Sequence, residues 1–522
     1  MAPLKWGLPC ELSSISQLRQ HRGPPIVSVR NMPSGQPRKL GITPYLVFLV
    51  LIATLGPFQF GYHLAELNAP QAVITCEKKR ISTNAGTNAL QHLPQCISMN
   101  SSQFGLVSSI YTLGGFIGSL LAGPFSSKSG RRLALRAASL FLIAGPLAES
   151  LAPGIPLLAL GRLLSGVGSG AVVVVGPIYI SEVAPLHSRG LFGVCTQVMV
   201  NVGILVSQVL GYFWSHDSMW RLILAAASIV AVLGLAGLFM VPESPIWLVK
   251  NHQRGQARHV LKRIRGSDAD IDAEIETWSN SITAPISSEE ESLLPSSNDE
   301  NQTSKQESIT MLQAVQDPYY RPAIVAVVAC MLAQQFTGIN SLIMYSVSLL
   351  QSILPTGAAL LTIMTSVINL VATVVCMPLP DRIGRRTCLL LSISGIGCSS
   401  VLLALGFALN QKILSAMACL LFVASFALGL GPVPFILPSE LAGPEAVGAT
   451  QSWGQAINWM ATFVVAQFFP MVNDALGGQG KVYWIFAAIA AISGLVIYRV
   501  LPETKGKSSV DEVWGRMDRR QD

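Results

Sequence analysis

The sequence predicts an all-α membrane protein of twelve transmembrane helices in two six-helix bundles, with both termini on the cytoplasmic side. Three observations carry this: an apolar composition, the number and length of the apolar windows, and a repeat relating the two halves. Of 522 residues, 51% are hydrophobic and only 12% charged, against roughly 25% charged in an ordinary soluble domain. A helix needs about 18 or more mainly apolar residues to cross the hydrocarbon of a bilayer. Twelve windows satisfy this, at 45–66, 104–125, 133–152, 155–180, 188–212, 219–241, 322–351, 356–379, 387–408, 413–438, 446–471 and 481–501. Basic loops are retained on the cytoplasmic side, and most of the 35 Lys and Arg fall in the two tails and after the even-numbered spans. Lys78, Lys79 and Arg80 are a local exception in the long loop after the first span.

The formal charge of +7 is therefore juxtamembrane, which reads as orientation and contact with anionic lipid rather than nucleic-acid binding. Residues 1–40 are polar, with scattered Pro and Gly and no apolar core, so they do not form a cleavable secretory signal and the first span does the targeting. Nine cysteines without a C-x-x-C argue against zinc or a redox pair. Cys76 and Cys96 share the loop on the oxidising side, where a disulfide is open to them. The sequon at Asn100 lies too close to the second span to favour glycosylation, and that at Asn301 falls on the cytoplasmic side.

These windows divide the chain into a cytoplasmic tail (1–44), a first bundle (45–249), a cytoplasmic linker (250–321), a second bundle (322–501) and a second cytoplasmic tail (502–522). The linker opens on the basic, amphipathic "KNHQRGQARHVLKRIRG" and passes into a Ser-, Glu- and Asn-rich stretch with too little apolar surface to fold. "GPFSSKSGRR" (Gly123–Arg132) after the second span is matched by "MPLPDRIGRR" (Met377–Arg386) after the eighth. "SEVAPLHSRG" after the fourth is matched by "SELAGPEAVG" after the tenth. Two related bundles suit alternating access, in which they rock about a central site. Arg131, Arg132, Glu182 and Arg189, with Asp381, Arg385, Arg386 and Glu440, then read as a cytoplasmic latch whose ion pairs form only while the bundles are closed on that side. The plainer alternative is that the basic loops only fix topology.

With these motifs in hand, the chain from about 45 to 506 resembles the sugar porter family of the major facilitator superfamily. The resemblance rests on "GRLLSGVGSG" opening the fourth span, "PESP" closing the sixth, "QQFTGIN" in the seventh, "GPVPFILPSE" in the tenth and "PETKG" after the twelfth. Within the family the chain is similar to facilitative glucose transporters and to fungal relatives named for a vacuolar sorting phenotype. The resemblance implies transport of a hexose-like polyol without ATP hydrolysis; the transport unit is expected to be a monomer, with no cofactor and no metal. The plasma membrane is the default location for uptake, and the fungal likeness keeps a vacuolar or endosomal membrane open.

Sugar hydroxyls both donate and accept hydrogen bonds, so amides suit them, and an aromatic ring can lie under the sugar. Amides inside membrane spans are costly unless they face a cavity or a partner. The candidates are Gln197, Gln334, Gln335, Asn340, Asn369 and Trp459, and by motif position the five amides match sugar-contacting residues of the family. Gln334 and Gln335 cannot share a helix face; Gln335 and Asn340 are the stronger pair, with a bend expected at Gly338. Ala427, Phe435 and Thr462 stand where glucose transporters carry Glu, Trp and Asn, so glucose specificity does not carry over, although a hexose or polyol still fits. Ser127 and Val447 replace a latch Asp and Arg, leaving one charge missing in each half.

His63 stands where proton-coupled porters carry Asp and facilitators Asn, three residues before Glu66, and Arg162 in the fourth span matches the family's arginine partner. One reading is a proton relay through His63, Glu66 and Arg162. The other, which is preferred, is a neutral His63 equivalent to Asn, with Glu66 solvated or paired to Arg162, and facilitative uniport. A non-transporting sugar sensor would need a longer cytoplasmic tail. An intramembrane enzyme would need a metal cluster, nucleophile or nucleotide loop that the sequence lacks. The "GVGSG" of the fourth span reads as small residues for close helix packing.

Overall fold

In the computed structural model, described residues are 43–77, 93–185, 189–266, 271–283, 311–351, 357–442, 446–478, 480–507 and 510–516. All of them belong to the unit Gly41–Asp522. The 1–44 tail up to residue 42, Lys78 to Arg80, the Asn301 sequon and the Ser/Glu/Asn-rich part of the linker lie outside them.

The long helices are α1 (Pro44–Ala65), α2 (Ser101–Ser129), α3 (Arg131–Ser150), α4 (Ile155–Val183), α5 (Arg189–Trp214) and α6 (Trp220–Met240) in the first half. The second half has α7 (Arg321–Phe336), α8 (Ile339–Gln351), α9 (Ala358–Cys376), α10 (Arg385–Ala408), α11 (Lys412–Leu428), α12 (Val433–Leu441), α13 (Val447–Ala475) and α14 (Val482–Val500). A short helix at Pro245–Lys250 leads into the linker, and those at Arg254–Arg265, Ile271–Thr283 and Met311–Gln316 lie in it. Among the described residues, eleven segments are long and apolar enough to cross a membrane, taking α7 with α8 and α11 with α12 as single spans. The predicted span at 446–471 overlaps α13, a 29-residue helix outside those eleven. Gln451, Gln455, Asn458 and Gln467 lower its hydropathy, and Gln455 and Asn458 are buried against protein.

Local sequence explains where these helices begin. Thr43 caps α1 by accepting from the Leu46 amide at 3.1 Å, ahead of Pro44 at the first helical position. Asn100, the sequon residue, forms a reciprocal capping box with Gln103 at the start of α2. The Cys76–Cys96 disulfide is formed and closes the loop between α1 and α2.

α2 packs along α4, α3 along α4 and α1 along α5; in the second half α10 packs on α11 and α14, and α7 on α13. The α2–α4 contact is a stripe of small residues. A Cβ at Gly114, Gly118, Gly166 or Gly170 would overlap a backbone carbonyl of the facing helix. The "GVGSG" motif therefore lets two backbones touch, which in lipid gains dispersion contacts no larger side chain would permit. Between the halves, α2 lies against α13 and α5 against α9.

Two helices are interrupted. The chain breaks between α7 and α8 at Thr337 and Gly338 (φ 95°), where the sequence predicts a bend. It breaks again between α11 and α12 across Gly429–Pro432, inside a window the sequence reads as one continuous span.

Candidate functional site

Three clusters of polar side chains sit where the helices converge. The first lies among α1, α3 and α4. His63 Nδ1 is 2.9 Å from Glu66 Oε1, and Arg162 Nη1 donates to the same oxygen at 2.5 Å and to the His63 carbonyl at 3.0 Å. The Arg162 guanidinium lies 4.5 Å over the Tyr111 ring. All four side chains are fully buried, so the solvated alternative for Glu66 does not hold in this conformation. The sequence reading missed Glu149 of α3: its Oε1 accepts from Ser165 Oγ at 2.5 Å and its Oε2 lies 4.0 Å from Arg162 Nη1. A carboxylate inside the 133–152 window was the available signal, since ionisable groups in spans are costly and usually partnered.

The second cluster contains the candidate amides. Asn340 donates to Gln335 Oε1 at 2.5 Å, Gln335 to Gln334 Oε1 at 3.1 Å, and Asn458 to that same oxygen at 2.6 Å. Gln334 Nε2 in turn donates to the Leu430 carbonyl at 2.6 Å, an acceptor freed by the α11–α12 break. Gln334 and Gln335 thus point differently, yet both join one chain of amides. Gln197 and Asn369 belong to a separate group centred on Asn201, whose Oδ1 accepts from each at 3.3 Å. Asn201 donates to Thr373 Oγ1 at 2.8 Å, linking α5 to α9. Trp459 packs edge-on against Phe60 and Tyr111, with ring centroids 5.3 and 5.9 Å away. It reaches from α13 to the helices of the first half and leaves its indole N–H unpartnered among the described residues. Asn201 and Asn458 were not anticipated, although each is a buried amide within a predicted span. Of the departures, Thr462 bonds the Asn458 carbonyl at 2.8 Å, one turn back on its own helix, while Ala427 is buried.

The third cluster lies at the ends of the arginine loops and departs from the latch expectation. Arg131 makes a two-pronged pair with Glu182, both bonds at 2.9 Å. Arg385 bonds Glu440 at 2.8 Å and Asp381 at 2.8 Å. Each pair joins helices of one half, so separating the halves leaves it intact. Arg386 instead stacks on Tyr498 and donates to its carbonyl, while the backbone amides of Arg132 and Arg386 bond Glu243 and Glu503. The Arg189 side chain lies outside the described residues.

Glu243 of "PESP" accepts from the Arg131 and Arg132 amides at 2.8 and 3.2 Å, and Glu503 of "PETKG" from Arg385 and Arg386 at 2.8 and 3.2 Å. Both cap a helix N-terminus, where backbone N–H groups lack partners and favour an anion. Gly130 and Gly384 precede these helices at φ 96° and 100°, and a Cβ on either would meet the capping carboxylate at 2.5 Å. Glu243→Ala and Glu503→Ala are each expected to cost about 1–2 kcal/mol, as lost caps and charge-assisted bonds do. A thermal melt of the purified protein checks this, with similar losses expected for the two.

This is a multi-pass membrane transporter with interrupted helices and buried amides around the junction of two repeated halves. The chain belongs to the sugar porter family of the major facilitator superfamily: residues 49–514 match the family model "Sugar (and other) transporter". It is 35% identical over 496 residues to the "Probable metabolite transport protein YBR241C" of Saccharomyces cerevisiae, covering 93% of this chain and 98% of that one. It is 32% identical over 482 residues to the rat "Solute carrier family 2, facilitated glucose transporter member 3", covering 90% and 92%. Among solved structures, the xylose transporter XylE from E. coli in a partially occluded inward-open conformation superposes with a TM-score of 0.71 at 25% identity, covering 90% of this chain and 100% of that one. The protein is a sugar transporter by family and not an enzyme.

Proposed function

We propose that this protein carries a hexose or related polyol across its membrane as a facilitative uniporter, by alternating access between bundles 45–249 and 322–501. In this reading α13 is the eleventh of twelve spans, the basic loops and both termini are cytoplasmic, and the transport unit is a monomer. The carrying observation is the run Asn340–Gln335–Gln334–Asn458, buried where the two interrupted helices meet. These amides satisfy one another in the described conformation. Sugar hydroxyls, which donate and accept, can replace those bonds one for one, so desolvating the amides costs little when substrate binds.

The facilitated glucose transporter relative supports uniport. Proton symport is the second reading. It is favoured by the buried contact of His63, Glu66 and Arg162, and another similar structure is described as a proton:xylose symporter. The membrane is the plasma membrane, or a vacuolar or endosomal one.

Uptake of labelled hexoses and polyols in a host lacking hexose transporters tests the proposal. At least one substrate is expected to accumulate above the empty host. Gln335→Leu is expected to lower its uptake about 10-fold or more, the equivalent of about 1.4 kcal/mol of lost hydrogen bonding. Uptake equal to the empty host for every substrate, or an unaffected Gln335→Leu variant, would overturn it. Collapse of the proton gradient with a protonophore separates the mechanisms: uniport is unaffected, whereas coupled uptake falls and His63→Asn removes the dependence.

A further inference from the structure

The cluster among α1, α3 and α4 holds more charge than its hydrogen bonds account for. Two carboxyl groups, Glu66 and Glu149, face one guanidinium, Arg162, and all three are at most 1% exposed. With His63 neutral and both carboxylates ionised, the site would bury a net charge of −1, and an unbalanced charge is costly to hold away from water. The bonds leave a matching gap. Glu66 Oε1 accepts from Arg162 and His63, and Glu149 Oε1 accepts from Ser165. Glu66 Oε2, Glu149 Oε2, His63 Nε2 and the Arg162 Nε have no hydrogen-bond partner among the described residues.

One carboxylate oxygen of Glu66, one of Glu149 and a ring nitrogen of His63 lie within 4.8 Å of one another. Carboxylates this close repel. A proton held by the pair would supply a donor where each carboxylate lacks one and cancel the excess charge. Placed on His63 instead, the proton would leave an Nε2–H without an acceptor and both carboxylate oxygens unpaired. A metal ion fits poorly, because Arg162 already holds the cationic position 2.5 Å from Glu66.

The other ionisable groups at the cluster do not alter this count. Tyr62 bonds the Ile223 carbonyl at 2.7 Å and Tyr111 the Phe60 carbonyl at 3.2 Å. From α6, Arg221 spends its Nη1 on the Ser150 and Ala152 carbonyls at 2.8 Å each.

We propose that Glu66 and Glu149 form a proton-binding site, holding one exchangeable proton between them beside Arg162. This goes beyond the transport reading and requires neither uniport nor symport: the proton is bound at equilibrium, whether or not it moves with sugar. Glu149 is the new element, since it supplies the second acceptor that neither His63 nor Arg162 can.

Infrared spectroscopy of the full-length protein in lipid nanodiscs tests the proposal, without sugar or a gradient, so its outcome is separate from any transport result. Wild type is expected to show a protonated-carboxyl C=O band that disappears as pH is raised. Glu149→Gln is expected to lack this titrating band, and His63→Asn to keep it. Should Glu149→Gln fail to fold, Glu149→Asp is expected to retain the band at a shifted frequency. The proposal is overturned by a wild type with no titrating band, by a band surviving in Glu149→Gln or unshifted in Glu149→Asp, or by its loss in His63→Asn, which would assign the proton to the imidazole.

Discussion

Arg162→Leu is expected to lose about 3–5 kcal/mol of stability, the usual cost of removing one partner from a buried ion pair. The substitution leaves the Glu66 and Glu149 carboxyls with no cation in a site without solvent, and it also removes the donor to the His63 carbonyl at 3.0 Å. A loss of this size is a large fraction of a typical fold's stability. Thermal unfolding in detergent should show a markedly lower midpoint, and uptake should fall with it. Arg162→Lys keeps the charge but not the planar fork, so partial recovery is expected. If Arg162→Leu unfolds at the wild-type temperature, the cluster does not carry the charge balance described.

Gly166→Val is expected to be at least as damaging. Its Cβ would overlap the Tyr111 carbonyl, and backbone, unlike a side chain, cannot swing aside. Accommodation requires α2 and α4 to move apart over the neighbouring contacts at Gly114, Gly118 and Gly170. Overpacking a tight site costs about 1–3 kcal/mol or more, and a separation propagated along a stripe exceeds that range. Loss of folded, monodisperse protein in size-exclusion chromatography is the expected readout. Gly193, whose Cβ would meet nothing within 4 Å, provides the control: Gly193→Ala should behave as wild type.

How much of this was legible beforehand depends on the kind of signal. Apolar windows place the spans because burial in lipid acts on whole segments, and single polar residues do not erase them. α13 shows the limit: its amides lower its hydropathy, although two of them, Asn458 and Gln467, bond side chains of α7 and α2. The bend at Gly338 was readable from one glycine beside polar residues. The Gly429–Pro432 break was hidden because its flanks are as apolar as any span. Pairing was least legible. Arginines recur in the two loops and Glu182 and Glu440 at matching helix ends, but their spacing cannot say whether Arg131 meets Glu182 within its own half or across the junction. Glu149 was overlooked for a related reason: near the end of a window it resembles a boundary residue, and only the packing of α3 on α4 turns it toward Arg162.

Gly130, Arg131, Glu182 and Glu243 all precede residue 250 and complete their bonds with one another. Chains emerge from the ribosome N-terminal end first, so the first half can finish this framework in the membrane before the second is made. The contacts that must wait include those of α2 with α13, of α5 with α9, and of Asn68, which bonds Ile343 and Ser346 of α8 at 2.9 Å each. Assembly thus divides into two successive insertions and one later docking, and a defect in the docking contacts would leave two well-formed halves that fail to mate.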